Sequence, residues 1–391
     1  MQRKNTLWSI ALVDTLLAIV LTACGAGAPA PTANNSPTTP NQERLYVLEK
    51  HPGPDPRIIA FHPGDSAPVM TFTSGLFSLD HQRLYVATPR TEDTSIKVQD
   101  TRTGSIIRQF TISGAYSTND QAYTKAVLSG DGQWLVMRAT GQVSQQTSIV
   151  VVDTLAGKVS RSIRLKGNFD VDAISPDGSY LYLLERFNPA NGDYHVRLYS
   201  ILENKLVDGT IADKTEPDEN MTGTALTRQM PVNGQIAFTL YTNKESNKAF
   251  VHILPLNGDP FARCIDLPVG PTTNLLRYYT IVLSPDERTL YAINSAMSNI
   301  ISIDVNHPGG EVFNDQIITN SHFAPTAMID KNAPDLYNGA VFSADQKVIY
   351  AIGTRGILAL SVSNLKIQQI YADDQSFTSI ALSTDGKTLY A

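Results

Sequence analysis

The chain has 391 residues, of which 42% are hydrophobic and 17% are charged, with a formal net charge of −6. This composition supplies enough apolar side chains for a large core and excludes a disordered chain, and the acidic balance argues against a nucleic-acid-binding protein, which needs a surplus of Lys and Arg to neutralise phosphates. The 2 cysteines exclude a disulfide-rich scaffold and a zinc site built from cysteines.

The first segment, residues 1–23, is predicted to be a secretion signal. Arg3 and Lys4 form a basic start, an apolar stretch follows, and the sequence LTAC ends at Cys24. This ending resembles the lipobox of bacterial lipoproteins, which implies cleavage before Cys24, a lipid on Cys24 and an extracytoplasmic protein anchored to a bacterial membrane. An ordinary secretion signal and a transmembrane anchor are the alternatives, although Asp14 and the shortness of the stretch disfavour a membrane span.

Residues 24–43 are predicted to form a tether. They are rich in Pro, Ala, Thr and Asn and have no apolar periodicity, which is typical of a flexible linker. We expect this segment to connect the lipidated Cys24 to a folded body that spans residues 44–391.

The folded body is a repeat array. A motif of the form Ser-x-Asp, three variable residues, an apolar residue and usually a tyrosine recurs in complete copies. These copies are SLDHQRLY (78–85), SGDGQWLV (129–136), SPDGSYLY (175–182), SPDERTLY (284–291), SADQKVIY (343–350) and STDGKTLY (383–390). A degraded copy, PVNGQIAF, covers 231–238, and a half copy opens the array at 41–47. Asp-Gly in three copies is a strong signal for a tight turn between two strands.

A second hairpin follows each motif at a regular distance, as in SIKVQDTRTGSIIRQFTI (95–112) and SIVVVDTLAGKVSRSIRL (148–165). Two hairpins per repeat build a four-stranded antiparallel sheet that is apolar on both faces, and such sheets are buried by stacking around an axis. The sequence therefore predicts an all-β fold, a seven-bladed β-propeller of four-stranded antiparallel blades. We expect the strand at 377–383 to pair with 45–48 and complete the first blade. A partial eighth repeat at the C-terminal end is the alternative.

The motif S-P-D-G-x-x-L-Y, followed by I-x-V-x-D-x-x-x-G-x-V, resembles the YVTN-type β-propeller repeat of surface-layer and YncE-like proteins. The resemblance covers about 44–391. It implies the propeller architecture and leaves the activity open, because the motif specifies turns and core positions. Secreted binding proteins belong to that group, and lactonases and quinoprotein-type subunits have similar propellers.

The innermost strands, aligned on the motif's serine, show two charges at one level. Three positions before the serine most copies carry a small or apolar residue, whereas two consecutive repeats carry Asp172 and Arg228. Burying either charge alone is costly, so we predict that Asp172 and Arg228 form an ion pair near the inner strands.

Further candidate ligand-binding residues cluster in the alignment near the predicted channel mouth. They are Lys125, Asp170, Arg277, Tyr278 and Asn338. Lys125 and Arg277 are candidates for binding an anionic ligand, with Asp170 as their counter-charge; solvated positions without a role are the alternative. Tyr278 belongs to a set of aromatic residues that either stack on a ligand or pack between blades.

The sequence contains no recognisable catalytic constellation. The histidines lack metal-ligand spacing, and nucleophile-elbow, phosphate-loop and dinucleotide motifs are absent. We therefore expect no metal, cofactor, catalytic residue or nucleic-acid partner, and favour a non-catalytic cell-surface module that binds an unknown small molecule or protein or acts as a scaffold. The alternatives are a lactonase-like hydrolase or quinoprotein-like enzyme at the channel mouth, and a purely structural envelope protein.

Overall fold

The structure is a computed structural model, which describes residues 9–11, 43–49, 56–119, 125–141, 145–188, 193–213, 221–306, 311–317, 336 and 338–391. For 9–11, 188 and 311–317 it describes the backbone alone. The predicted signal and tether, including Cys24, lie almost entirely outside the described residues, so lipidation at Cys24 stays a prediction. Among the described residues, no helix has the length and apolarity needed to cross a membrane.

The fold is an all-β, seven-bladed β-propeller, which confirms the predicted architecture. A short strand, β1 (Ser9–Ala11), precedes the blades. Blade 1 contains β2 (Leu45–Glu49), β3 (Arg57–Phe61) and β4 (Pro68–Thr73). Blade 2 contains β5 (Leu76–Phe77), β6 (Arg83–Pro89), β7 (Asp93–Asp100) and β8 (Ile106–Ser113). Blade 3 contains β9 (Ala126–Leu128), β10 (Trp134–Arg138), β11 (Gln146–Asp153) and β12 (Lys158–Lys166).

Blades 4 to 7 follow the same order, and a 3₁₀ helix, Thr273–Tyr278, precedes blade 6. Blade 4 contains β13 (Phe169–Ile174), β14 (Tyr180–Asn188), β15 (Asp193–Ser200) and β16 (Lys205–Leu206), and blade 5 contains β17 (Ala212–Asp213), β18 (Thr224–Gln229), β19 (Ile236–Asn243), β20 (Lys248–Pro255) and β21 (Phe261–Asp266). Blade 6 contains β22 (Tyr279–Leu283), β23 (Thr289–Asn294), β24 (Asn299–Asp304) and β25 (Glu311–Ile317). Blade 7 contains β26 (Ala340–Phe342), β27 (Val348–Ile352), β28 (Ile357–Ser361) and β29 (Ile367–Tyr371).

Two blades depart from the predicted four strands. Within the described residues, blade 1 has three strands in the order β2-β3-β4. Blade 5 has five, because β17 adds to β21 in parallel at its outer side. The remaining blades are four-stranded and antiparallel.

The predicted pairing of 377–383 with 45–48 is wrong. The chain ends in a hairpin of β30 (Ala381–Leu382) and β31 (Thr388–Tyr390), and β31 also pairs with β1. The motif at 383–390 contains its own second strand, which is adjacent in sequence and closes the hairpin locally. The two ends still meet, since the backbone N–H of Thr384 donates a hydrogen bond to the Glu43 carboxylate.

The repeated motif folds as the tight turn between the first and second strands of a blade. In the copy at 284–291, the Ser284 hydroxyl donates to Asp286 at 2.6 Å and accepts the backbone N–H of Thr289 at 2.9 Å. The residue after the aspartate has a left-handed backbone in each complete copy. These residues are His81, Gly132, Gly178, Glu287, Gln346 and Gly386. Glycine relieves the strain of that conformation in three copies.

The hydrophobic core lies between blades, and the first strands form the innermost layer. For example, Ile58 and Phe72 of blade 1 pack with Leu84 and Val86 of blade 2. Equivalent clusters join each pair of consecutive blades, and the last one joins blade 7 to the C-terminal hairpin. First strands contact one another, as β9 contacts β13 and β22 contacts β26.

Candidate functional site

A charged cluster lies at one edge of blades 3 and 4. Because neighbouring strands of a blade are antiparallel, the first strand begins where the second strand ends. Asp170 is the second residue of β13, Arg186 lies near the end of β14, and Arg138 is the last residue of β10. The topology therefore brings one carboxylate and two guanidinium groups to the same edge of the ring.

Asp170 binds both arginines of this cluster. Its Oδ1 accepts a hydrogen bond from Nη1 of Arg138 at 2.5 Å, and its Oδ2 accepts one from Nε of Arg186 at 2.7 Å. Nη2 of Arg138 also donates to Oδ1 of Asn168 at 3.0 Å. The side chains of Asp170, Arg138 and Arg186 are 10%, 18% and 25% exposed, so the cluster is ordered by its contacts and still reaches solvent. Arg138, Asn168, Asp170 and Arg186 are called the mouth cluster below.

Arg186 is held on a second side by an aromatic ring. Its guanidinium carbon lies 5.2 Å from the ring centroid of Tyr194, which is fully buried in blade 4. This is a cation–π arrangement. Among the described residues, the terminal nitrogens Nη1 and Nη2 of Arg186 donate to no acceptor. They are the unused donors of the cluster.

Asp172 and Arg228 form a second, deeper pair between blades 4 and 5, which confirms the predicted ion pair. Nη2 of Arg228 lies 2.5 Å from Oδ1 of Asp172, Nη1 donates to the backbone carbonyl of Asp172, and Nε donates to the Thr239 hydroxyl at 2.8 Å. The side chains are 3% and 11% exposed. Asp172 is the extra residue of a β-bulge between Val171 and Ala173, and such bulges redirect a side chain.

Two tyrosines and a histidine surround this pair. The ring centroids of Tyr194 and Tyr241 are 6.1 Å apart, and those of Tyr241 and His252 are also 6.1 Å apart. Burial raises the pKa of Tyr194 well above its usual value, and burial lowers the pKa of His252 to about 4, an effect that Asp172 partly opposes. Within the described residues, Nε2 of His252 and Oη of Tyr194 are buried without a hydrogen-bond partner.

The other predicted site residues have varied surroundings. Lys125 is exposed at the start of blade 3, and its carbonyl accepts the backbone N–H of Arg138 at 2.7 Å, so it lies beside the mouth cluster. Arg277 is half-buried in the 3₁₀ helix. Tyr278 is buried in a small cluster with Leu275 and Ala296. Asn338 binds the C-terminal hairpin, because its side-chain nitrogen donates to the Ile380 carbonyl at 3.1 Å.

Sequence reasoning missed Arg138 and Arg186. The alignment considered first strands, whereas both arginines lie near the ends of second strands. In the structure these arginines, and not Lys125 or Arg277, are the residues paired with Asp170. The available signal was a charged residue that ends an apolar run, as in WLVMR (134–138) and YLYLLER (180–186).

The described residues offer charged groups suited to holding a ligand. They contain no group of three His, Cys, Asp or Glu side chains arranged to hold a metal ion. The two carboxylates of β13 are bound by guanidinium groups, and Asp172 is inaccessible. Cys264 is half-buried, and its backbone N–H donates to the carboxylate of Asp213.

Comparisons with known proteins identify no family for this chain. No family model matches the chain, and no curated protein matches it. Among solved structures, it is similar to the β-propeller domain of Cps50 (Swd1) from Myceliophteria thermophila, with 12% identity, a TM-score of 0.43 and coverage of 82% of this chain and 97% of that one. It is also similar to a functionally unknown protein from Desulfotomaculum acetoxidans, with 15% identity, a TM-score of 0.40 and coverage of 83% and 95%.

A third similar structure is a candidate 6-phosphogluconolactonase from Bacteroides fragilis, with 15% identity, a TM-score of 0.42 and coverage of 88% of this chain and 98% of that one. At these identities and TM-scores the likeness assigns no function to this chain. The chain's own sheet topology, and not these likenesses, defines it as a seven-bladed β-propeller.

Proposed function

We propose that this chain is an extracytoplasmic protein, anchored to a bacterial membrane by a lipid on Cys24, whose propeller binds a small-molecule ligand without chemical turnover. The mouth cluster is the binding site in this proposal. The YVTN-type assignment of the repeat belongs to the same proposal, since it rests on the motif copies.

The observation that carries the proposal is the hydrogen bonding of Asp170. Its two oxygens each hold one guanidinium group, and those groups come from two blades. Such mutual support fixes side chains in position before a ligand arrives, which lowers the entropy cost of binding. The same bonds commit both carboxylate oxygens of Asp170 to guanidinium groups, which favours a positioning role for this residue.

Ligand binding is tested by measuring the melting temperature of the detergent-purified full chain against a broad metabolite collection. We expect at least one compound to raise the melting temperature of the wild type and to lose that effect in Arg138→Gln. Arg197→Gln is the matched control: in the same blade 4, Arg197 donates to Glu185 and to the carbonyls of Gly209 and Val207. A collection without any stabilising compound, or hits unaffected by Arg138→Gln, would overturn the proposed site.

Anchoring is tested separately in a bacterial host. Wild-type chain should incorporate an alkyne-labelled fatty acid and partition into the detergent phase, whereas Cys24→Ala should do neither. Labelling that is absent from the wild type, or that persists in Cys24→Ala, contradicts lipidation at Cys24.

A further inference from the structure

We propose that Arg186 is the principal ligand-binding side chain of the mouth cluster and that it binds a carboxylate group of the ligand through Nη1 and Nη2. This inference rests on the proposed function and names the chemical class of the ligand. The supporting observation is which guanidinium nitrogens of each arginine in and near the cluster already donate hydrogen bonds within the protein.

The other arginines of this region have their terminal nitrogens occupied. Arg138 uses Nη1 on Asp170 and Nη2 on Asn168. Arg228 uses both on Asp172. Arg186 uses only Nε, at 2.7 Å from Asp170, and within the described part of the chain its Nη1 and Nη2 contact no acceptor. Its side chain is also the most exposed of the three charged side chains of the cluster, at 25%.

Arg186 is also held in one orientation. Asp170 fixes the Nε side of the guanidinium, and the Tyr194 ring lies 5.2 Å from its central carbon. Tyr194 is fully buried, and Asp170 is fixed in turn by Arg138, so neither support moves freely. The two terminal nitrogens of a guanidinium match the two oxygens of a carboxylate, and a preoriented pair loses little entropy on binding.

The local charge favours a monoanion. The hydrogen-bonded side chains Arg138, Asp170 and Arg186 carry a combined formal charge of +1, and the neighbouring Asp172 is neutralised by Arg228; the exposed Lys125 lies beside this set and is not counted in it. A carboxylate would bring the cluster to neutrality. A phosphate dianion would leave an excess negative charge beside Asp170, and like charges at such distances repel. The geometry and the charge together point to a carboxylic acid.

The experiment uses the detergent-purified full chain with three probes at equal ionic strength: acetate, inorganic phosphate and the neutral isostere acetamide. Arginine side-chain ¹⁵N resonances are recorded, and the Arg186 Nε signal is assigned in the wild type through its scalar connections to the Arg186 backbone. We expect acetate to shift this signal saturably, phosphate to bind at least about tenfold more weakly, and acetamide to have no effect.

Variants then separate the effect of the positive charge of Arg186 from the effect of its two terminal guanidinium donors. We expect Arg186→Lys and Arg186→Gln to weaken acetate binding by about tenfold or more, and Arg197→Gln to leave it unchanged. Circular dichroism and the melting temperature check folding; if the variants unfold, the acetate titration of the wild-type Arg186 signal decides alone.

Several results would overturn the inference: an Arg186 signal that does not respond to acetate, an equal response to acetamide, or phosphate that binds as tightly as acetate. Neutral compounds that stabilise the wild type and depend on Arg138 would preserve the proposed binding function while refuting the carboxylate assignment. The two proposals therefore fail in distinguishable ways.

Discussion

Asp172 and Arg228 join blades 4 and 5 through a buried ion pair in which all three nitrogens of the guanidinium donate a hydrogen bond. The acceptors are the Asp172 carboxylate, the Asp172 carbonyl and the Thr239 hydroxyl. Such a pair holds two sheets in one relative position, because a displacement of either blade leaves a charge without its partner.

Removing one member of this pair should destabilise the protein strongly. Asp172→Asn or Arg228→Met leaves an uncompensated buried group, and we expect each to lower the free energy of unfolding by about 3–5 kcal/mol. The double variant should lose less than the sum of the two. Urea unfolding at neutral pH measures all three. The exposed pair Lys205–Asp208 is the control, and Lys205→Gln should cost less than about 1 kcal/mol. Single variants as stable as the wild type would contradict this role.

The buried His252 should make the protein less stable in mild acid. Its folded pKa of about 4 is below the usual 6.5, mainly because burial disfavours the charged ring. The unfolded chain therefore takes up a proton first as the pH falls. The contribution of neutral His252 to the free energy of unfolding is complete above pH 6.5. It is lost between pH 6.5 and about pH 4, and amounts to about 3 kcal/mol in total.

Replacing His252 isolates this contribution. We expect the free energy of unfolding of His252→Phe to fall less steeply between pH 6.5 and 4 than that of the wild type. Burial lowers the pKa of His81 as well, so part of the slope should persist in the variant. Identical slopes in the two proteins would show that His252 takes up a proton without unfolding.

The serine of the repeated turn should stabilise its blade. Ser284→Ala removes the acceptor of the Thr289 N–H and the donor to Asp286, and we expect a loss of about 1–2 kcal/mol by urea unfolding. The Ser284 hydroxyl is the main reason why the pKa of Asp286 is lowered, so that pKa should rise towards its usual value. Ser160→Ala, at an exposed strand position, is the control. Equal stability of the two variants would argue against the turn role.

The architecture could be predicted from the sequence because the repeat encodes it locally. The Ser-x-Asp turn is formed by hydrogen bonds within about five residues, so each copy identifies one hairpin without knowledge of the rest. Alignment on the motif's serine also brought Asp172 and Arg228 to one level, and their opposite charges then predicted the contact. The spacing of the copies identified the blades.

The mouth cluster and the end of the array could not be predicted in the same way. The contact of Arg138 with Asp170 joins two blades, so it depends on their relative rotation, which a motif does not encode. The bulge at Asp172 changes which side of β13 a side chain faces. At the C-terminal end, β31 and β2 are copies of the same motif strand, and the sequence alone could not say which of them pairs with β30.

The position of the core has a consequence for how the molecule can be divided. Each apolar cluster is built from two consecutive blades, as Ile58 and Leu84 illustrate, so a single sheet has no interior of its own. Removing one blade would expose the apolar faces of the two blades beside it, and the removed sheet would expose both of its own apolar faces to water. The sequence is made of repeats, but the propeller cannot be divided into blades that fold on their own. Insertions and deletions are therefore best accommodated in the loops that connect the strands.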